Sequence, residues 1–256
     1  MYMKPLLAVL IDMGILKNAN LPQSKVTCAA VSCEAIHLVS RLKSFGIDTI
    51  KIKGTTSVLP GLASHADLHI LHLGGSEIWI SQEQLDNKAI FEHYGFKLHI
   101  LPSKLEKNYP NDVPLNAAIV GDNVFLNTKS VCKEINFTCK KIIPVNQGYS
   151  KCSTCVVNSN AIITDDESIH KAATENQIDS LLVQKGDIIL KSMNYGFIGG
   201  CCGLIDKDLM LFNGNLKSHR NYNEINSFLS NYKIKVLSVG NHPLTDIGGI
   251  LPLLEK

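Results

Sequence analysis

The sequence predicts a single α/β domain in which five similar strand-strand-helix-strand units form a closed ring, an α/β propeller. Four complete units follow one another after residue 64, and corresponding turn residues lie about 40 positions apart, a period typical of propellers and repeat arrays. The two ends of the chain each hold only part of a fifth unit. A ring that both termini complete leaves few exposed strand edges.

The beginning and the end of the chain are predicted to form that fifth unit together. An apolar run at 6–11 indicates a strand, residues 33–46 indicate a helix that ends at a glycine, and residues 48–54 indicate another strand. The missing strand is predicted in the apolar tail after the turn NHPLTD. The fifth unit therefore combines residues 5–54 with residues 245–256.

The four complete units span residues 65–102, 111–145, 150–184 and 196–240. In each unit a short turn (GGSE, VGDN, NSN or DKD) separates two apolar strands. These turn residues tolerate positive φ or bond their own backbone, as β-hairpins require. The next segment of each unit is predicted as an amphipathic helix followed by a closing strand.

Helix starts and packing faces support these helices. Capping boxes at Ser81–Gln84 and Thr164–Glu167 would satisfy amide donors at the N-termini of the first and third helices. In the fourth unit, four residues at helical spacing predict a face that packs on the sheet: Tyr222, Ile225, Phe228 and Leu229.

The composition is that of an ordinary globular protein and excludes several functional classes. With 45% hydrophobic and 19% charged residues, the chain is not expected to be disordered. The net charge of +2 gives no basic field for nucleic acid or anionic lipid. Asp12 interrupts the apolar N-terminal run and no cleavage site follows. We therefore expect a cytoplasmic protein without membrane association. In that compartment the eight cysteines are expected to be reduced.

Four segments carry a resemblance to known proteins: YPNDVPLNAAIVGDN, QGYSKCSTCVV, NAIITDDE and YGFIGG. With the five-unit pattern, they are similar to a family of uncharacterised bacterial proteins assigned to the pentein fold. Guanidino-group modifying enzymes share that fold with noncatalytic ribosome anti-association factors. The resemblance covers residues 65–256 and only weakly the N-terminal part, and it implies the fold more than the reaction.

In the enzymes of this fold, two acidic residues bind the guanidinium, a histidine transfers protons and a cysteine near the C-terminus attacks the guanidinium carbon. By resemblance, Asp67 and Asp112 occupy the entry positions of the carboxylates. Asp246 and the glycine pair 248–249 match the approach to the nucleophile, but ILPL follows them. The expected thiol is absent, which argues against the covalent mechanism in its usual geometry.

The remaining candidate thiols lie in KCSTC and GGCCG, at corresponding entry positions of the third and fourth units. An extended segment would point Cys152 and Cys155 to opposite faces, which argues against a zinc knuckle. We interpret Cys155 and Cys202 as small packed residues and a four-sulfur metal site as the weaker alternative. Cys152 or Cys201 is the candidate nucleophile, with Lys151 or a histidine lowering the pKa of its thiol.

The densest group of proton-transfer residues lies in SHADLHILH. On an extended strand His65, Asp67 and His69 share one face, which could act as a general base with an orienting carboxylate or as part of a metal site. The alternative is a solvated or hydrogen-bonded strand end, and His72 is interpreted as a core or hairpin histidine. No cofactor and no resident metal are predicted.

Polar residues also precede the first strands of two other units: Asn111, Asp112 and Asn116 in one, and Asn194 and Tyr195 in the other. They could present amide and carboxylate groups to a cation at the axis, or they could form a loop that bonds its own backbone. The glycine pairs 199–200 and 248–249 are interpreted as close backbone approach near the axis.

These observations predict a polar pocket at the axis that binds a small cationic or amino-acid-like metabolite. The residues assigned to binding are Asn111, Asp112, Asn116, Lys151, Asn194, Tyr195 and Asp246, and those assigned to chemistry are His65, Asp67, His69, Cys152 and Cys201. A thiol in this pocket predicts a hydrolase, or an amidinotransferase-like enzyme, acting on a guanidino or other carbon–nitrogen bond. The alternative is a noncatalytic binding or interaction protein, and a homodimer is compatible with either.

Overall fold

The fold is described by a computed structural model over residues 14–137 and 139–256. The predicted strand at residues 6–11 lies outside the described residues. Five separate sheets, one of four strands and four of three, confirm the predicted α/β propeller.

The elements are, in chain order, β1 (Gly14–Ile15), β2 (Val26–Ser32), α1 (Ile36–Ser44), β3 (Asp48–Ile52), α2 (Ala66–His69), β4 (Ile70–Gly74), β5 (Glu77–Ile80), α3 (Lys88–His93), β6 (Lys97–Ile100), β7 (Ala118–Val120), β8 (Asn123–Leu126), β9 (Lys141–Pro144), β10 (Thr154–Asn158), β11 (Ala161–Thr164), α4 (Glu167–Glu175), β12 (Asp179–Leu182), β13 (Cys202–Asp206), β14 (Leu209–Asn215), α5 (Tyr222–Asn231), β15 (Lys235–Pro243) and β16 (Leu251–Glu255).

Each three-stranded sheet repeats one topology. The first two strands of a unit pair antiparallel and the third pairs parallel to the second, as in β4, β5 and β6. The sheets β7–β9, β10–β12 and β13–β15 follow the same order. A parallel third strand needs a crossover connection, which is where the helices of the first, third and fourth units lie.

The C-terminal strand completes the remaining sheet, as predicted. Its strand order is β1-β16-β2-β3, with β16 antiparallel to both β1 and β2. The register places Leu251 opposite Ala30 and Leu254 opposite Ile15. The segment before β16 is thereby held at the axis, next to the entry ends of the other units.

The prediction of a helix in the second unit is wrong. Residues 127–137 and 139–140 contain turns and irregular backbone but no helix. The Asn127 side chain accepts a hydrogen bond from Lys129 N at 2.9 Å, and such a local bond offers the backbone an alternative to helix. Val131, Ile135 and Phe137 nevertheless pack into the core.

Both predicted capping boxes are also wrong. Ser81 forms no capping hydrogen bond, and its hydroxyl bonds His69 instead. Thr164 ends β11 and donates to Ser153 O. Asp166 is the N-cap of α4 and accepts from the backbone of Ser168 and Ile169.

Helix α5 buries the face that its spacing predicts. In α5, Ile225 and Leu229 are fully buried, and Tyr222 and Phe228 pack against the same cluster. Among the described residues, no helix has the length and apolar character that crossing a membrane requires.

Candidate functional site

Side chains from four units converge at the axis of the propeller, where the first strands begin. This group, the hub site, consists of His65, Asp67, Asn116, Cys152 and Asp246. Each is buried, with at most 4% of its surface exposed. The structure thus brings together five residues that the sequence analysis singled out.

Three of these residues point their reactive atoms at one another. One side-chain atom each of His65, Asp67 and Cys152 lies within 4.8 Å of the other two. In the described part of the chain, His65 Nδ1 and both carboxylate oxygens of Asp67 lack a hydrogen bond of normal geometry. Asp246 Oδ1 lies 3.6 Å from His65 Nδ1. A nitrogen, an oxygen and a sulfur donor so placed could hold a cation or a metal such as Zn²⁺.

Residues 65–69 adopt a different backbone from the one predicted. They form the helical turn α2 rather than an extended strand, because Leu68 N donates to His65 O and Asp67 N donates to Gly248 O. The strand rule for side-chain direction therefore does not apply. The turn places His65 and Asp67 at the hub site and sends His69 elsewhere.

Asn116 positions the thiol. Its side-chain oxygen accepts from Lys151 N at 2.7 Å and Cys152 N at 3.3 Å. Its amide nitrogen donates to Asp67 O at 3.0 Å and to Cys152 Sγ at 3.3 Å. A single buried amide thus links the entry segments of three units.

The electrostatics of the hub site favour a bound cation. Burial raises the pKa of Asp67, although His65 and Lys151 act in the opposite direction. Burial, followed by the charges of Asp67 and Asp246, raises the pKa of Cys152 well above its usual value. The prediction that a nearby cation lowers the pKa of this thiol is therefore wrong. A positive ligand would offset the charges of the two carboxylates.

Lys151 directs its ammonium group at the backbone of the fourth unit. Its Nζ is 3.4 Å from Gly199 O. The side chain lines two small cavities at the axis, of about 10 and 20 Å³, which also contain Cys155 and Asp67 respectively. Its charge opposes the rise in the pKa of Asp67 that burial causes.

Glycines make room for Asp246. Its carboxylate accepts from Phe197 N at 2.9 Å and Gly248 N at 3.0 Å. A Cβ at Gly200 would lie 2.0 Å from Asp246 Oδ1, and one at Gly248 would lie 2.5 Å from the His65 backbone. Both glycine pairs thus provide close backbone approach, as interpreted from the sequence.

Asp112 is buried beside the hub site and is linked to it through Tyr149. The Tyr149 hydroxyl donates to Asp112. Burial raises the pKa of Tyr149, and Asp112 and then Cys152 add to the rise. Tyr149 stacks between two further aromatic rings, Tyr109 and Phe197. This aromatic row therefore continues outward from the buried groups.

The other predicted binding residues lie outside the hub site. Asn111 is exposed and donates to Glu106 at 3.0 Å. Asn194 is exposed, and Tyr195 is partly buried and packs edge-on against Phe197.

Two predicted catalytic residues have other contacts. His69 bonds Ser81 Oγ at 2.7 Å and Ala63 O at 3.0 Å, so both ring nitrogens are occupied. The Cys201 thiol donates to Ile198 O at 3.1 Å. His72 bonds Gly75 O in the hairpin turn, as interpreted from the sequence.

The two cysteines of KCSTC lie apart because they belong to different elements, and not because their side chains alternate along one strand. Cys152 lies in the turn 150–153 and belongs to the hub site, whereas Cys155 lies on β10 beside Cys202. In residues 14–137 and 139–256, the one group of three metal-ligating side chains is His65, Asp67 and Cys152, and it contains a single sulfur.

Sequence reasoning missed Tyr149 and Asp165. Tyr149 belongs to QGYSKC, but its contact with Asp112 joins residues 37 positions apart. Asp165 is buried, and its carboxylate accepts from Ile198 N at 2.9 Å. The signal for Asp165 is an acidic residue directly after an apolar strand, within the stretch Thr164–Glu167 that predicts a capping box.

Replacing Asp67 by asparagine is expected to raise the free energy of unfolding at about pH 8 by about 1–3 kcal/mol, because a buried charge becomes a neutral amide. The raised pKa of Asp67 means that the folded chain binds this proton more tightly than the unfolded chain. Wild-type stability therefore falls as the pH rises from about 3.9 through the raised pKa, and the gain should shrink at about pH 4.

Urea unfolding at both pH values measures this gain. Asp208→Asn, at a partly exposed carboxylate, is the matched control and should change stability by less than about 0.5 kcal/mol. An Asp67→Asn variant no more stable than the wild type at pH 8 would show that the buried carboxylate is not a destabilising charge.

A family model and several solved structures match the chain. The model of DUF6873, a family of unknown function, matches residues 30–251. No curated protein sequence matches. Inosamine-phosphate amidinotransferase from Streptomyces griseus is 10% identical with a TM-score of 0.58, and the match covers 89% of this chain and 92% of that one.

Two further structures are similar over most of their length. Agmatine deiminase from C. jejuni is 10% identical with a TM-score of 0.53, covering 93% of this chain and 92% of that one. DDAH from Pseudomonas aeruginosa, complexed with citrulline, is 9% identical with a TM-score of 0.51, covering 85% and 92%. At these identities the similarity concerns the fold, and it confirms the pentein fold that the sequence resemblance predicted.

Proposed function

We propose that this chain, a member of the DUF6873 family of unknown function, hydrolyses a carbon–nitrogen bond of a small guanidino or amidino metabolite. The chain has the pentein fold. The observation that carries this proposal is the buried group of His65, Asp67 and Cys152, whose reactive atoms lie within 4.8 Å of one another. The names of the similar structures, an amidinotransferase and an agmatine deiminase, support a guanidino or amidino group as the target.

A planar cation fits the charges around the thiol. Among the described residues, the carboxylate oxygens of Asp67 accept no hydrogen bond of normal geometry, and Asp246 places a second carboxylate beside His65. A guanidinium carries several N–H donors in a fixed plane, so it can satisfy acceptors on both sides. Burial and then the charges of Asp67 and Asp246 raise the pKa of Cys152, and the charge of a bound guanidinium would offset the two carboxylates. Substrate binding would therefore make loss of the thiol proton easier.

The proposed reaction uses Cys152 as nucleophile and His65 as acid and base. His65 takes the thiol proton while the sulfur attacks the guanidinium carbon and a carbon–sulfur bond forms. The carbon–nitrogen bond to the leaving amine then breaks, and His65 returns the proton to that nitrogen. Water, deprotonated by His65, attacks the same carbon. The carbon–sulfur bond breaks, the sulfur regains its proton, and a ureido product leaves.

The rival function is noncatalytic binding of the same cation. Two observations favour it: the terminal segment carries Ile250 and Leu251 in place of a thiol, and burial raises the pKa of Cys152 well above its usual value. A thiol that stays protonated would leave a cation-binding site without a nucleophile.

Alkylation with two matched reagents separates the functions. Cationic 2-chloroacetamidine and neutral 2-chloroacetamide have the same shape, and each loses chloride as the sulfur–carbon bond forms. We expect the cation to label Cys152 at least about 10-fold faster than the neutral reagent, because only the cation offsets the buried carboxylates. Exposed Cys139 is the internal control and should show little preference. Peptide mass mapping measures both rates.

Asp67→Asn should reduce the preference for the cation, whereas Asp208→Asn should retain it. Equal labelling of Cys152 by both reagents would contradict the proposed hydrolase. Reversible binding of the amidine without labelling would instead support the noncatalytic function.

A further inference from the structure

A larger cavity lies outside the hub site, beside the N-terminus of α4. Its volume is about 810 Å³, and it is lined by residues from three segments of the chain: Asn146 and Gln147, residues 165–168, and residues 182–185. This volume lies within the range of small-molecule sites. The proposed hydrolysis uses none of these residues.

Asp165 is the buried acidic group of this cavity. It follows β11, is 3% exposed and accepts one hydrogen bond, from Ile198 N at 2.9 Å to Oδ2. Its other oxygen, Oδ1, has no donor in the described part of the chain. A buried carboxylate oxygen without a donor is costly unless a ligand supplies one.

The other charged groups of the cavity leave it acidic. Asp166, Glu167 and Lys185 join Asp165, giving three carboxylates against one ammonium. Asp166 is already occupied, because it caps α4, accepts from Gln147 and lies 3.9 Å from Lys185 Nζ. Because Asp166 caps the first turn of α4, the partial positive charge of this helix end is countered. Asp165 Oδ1 therefore remains the buried acceptor for a cation.

We propose that this cavity is a second binding site, for a small organic ammonium ion that donates a hydrogen bond to Asp165 Oδ1. Gln147, Ser168 and Gln184 supply neutral polar groups around that ion. An ammonium group matches the site better than a phosphate or carboxylate, which three acidic side chains would repel.

The site adjoins the hub site through two consecutive residues. Ile198 N donates to Asp165, and Phe197 N donates to Asp246. The backbone amide of Ile198 therefore reports directly on Asp165, and that of Phe197 reports on the hub.

The test is a titration of ¹⁵N-labelled protein with 1,4-diaminobutane, followed by amide chemical shifts. We expect saturable shifts at Ile198 and Gln184. Asp165→Asn keeps an oxygen acceptor for Ile198 N but removes the charge, and it should weaken binding at least about 10-fold. Asp208→Asn, at a remote carboxylate, should bind as the wild type does. Cys152→Ser should also bind normally, which separates this result from any failure of the proposed hydrolysis.

The affinity should also rise between about pH 6 and pH 8. Burial raises the pKa of Asp165 to about 7, Lys185 opposes this, and Asp246 and Asp166 add to it, while the diamine stays protonated in this range. Three results would overturn the proposal: no saturable shift at Ile198 and Gln184, equal affinity in Asp165→Asn, or shifts confined to the amides of the hub site.

Discussion

Cys152→Ser is expected to lower kcat for a guanidino substrate by about 10³-fold or more, because serine lacks a nucleophile of comparable strength at neutral pH. The substitution is nearly isosteric, and the Ser hydroxyl can accept the hydrogen bond that Asn116 Nδ2 gives to Cys152 Sγ at 3.3 Å. Substrate binding should therefore persist while turnover is lost. Ureido product formation measures turnover, and isothermal calorimetry measures binding.

Cys155→Ser is the matched control for this variant. Cys155 is as buried as Cys152, at 1% exposed, but it lies on β10 outside the hub site, and it should retain turnover provided that the variant folds. Undiminished turnover in Cys152→Ser would assign the chemistry to another group. Loss of both turnover and binding would indicate that the thiol shapes the site rather than reacting.

Gly199→Ala is expected to lower the free energy of unfolding by about 3 kcal/mol. A Cβ at this position would lie 2.2 Å from Thr154 O and 2.5 Å from Lys151 O. Both atoms belong to the backbone, so relief requires moving the turn that carries Cys152, and no side chain can rotate away. Labelling of Cys152 by 2-chloroacetamidine should fall in the same variant.

Gly54→Ala is the matched control, because it makes the same change from glycine to alanine, with its effect on backbone entropy, without a clash. A Cβ there would meet its nearest neighbour, Ala63 Cβ, at 3.8 Å, and its stability should change by less than about 0.5 kcal/mol. Urea unfolding followed by the fluorescence of Trp79, the one tryptophan of the chain, measures both variants. Equal stability of the two would show that the axis can relax around an added methyl group.

The element types were largely predictable because their signals are local. Alternating apolar strands separated by GGSE, VGDN, NSN and DKD gave the hairpins, and the spacing of Ile225 and Leu229 gave the buried face of α5. The failures were equally local. The Asn127 side chain accepts a hydrogen bond from Lys129 N where the pattern predicts a helix, and the Ser81 hydroxyl bonds His69 rather than the amides of a helix N-terminus.

The sequence by itself determined the repeat of five units, the closing role of the tail and the candidate residues His65, Asp67, Asn116, Cys152 and Asp246. Only the tertiary structure decided which of the candidates meet. The physical reason is that residues distant in the chain become neighbours at the axis through the packing of whole units, as Asn116 and Cys152 do. His65 and Cys152 reach the axis from turns and not from extended strands. The rule that successive side chains of a strand point to opposite faces therefore does not predict their directions.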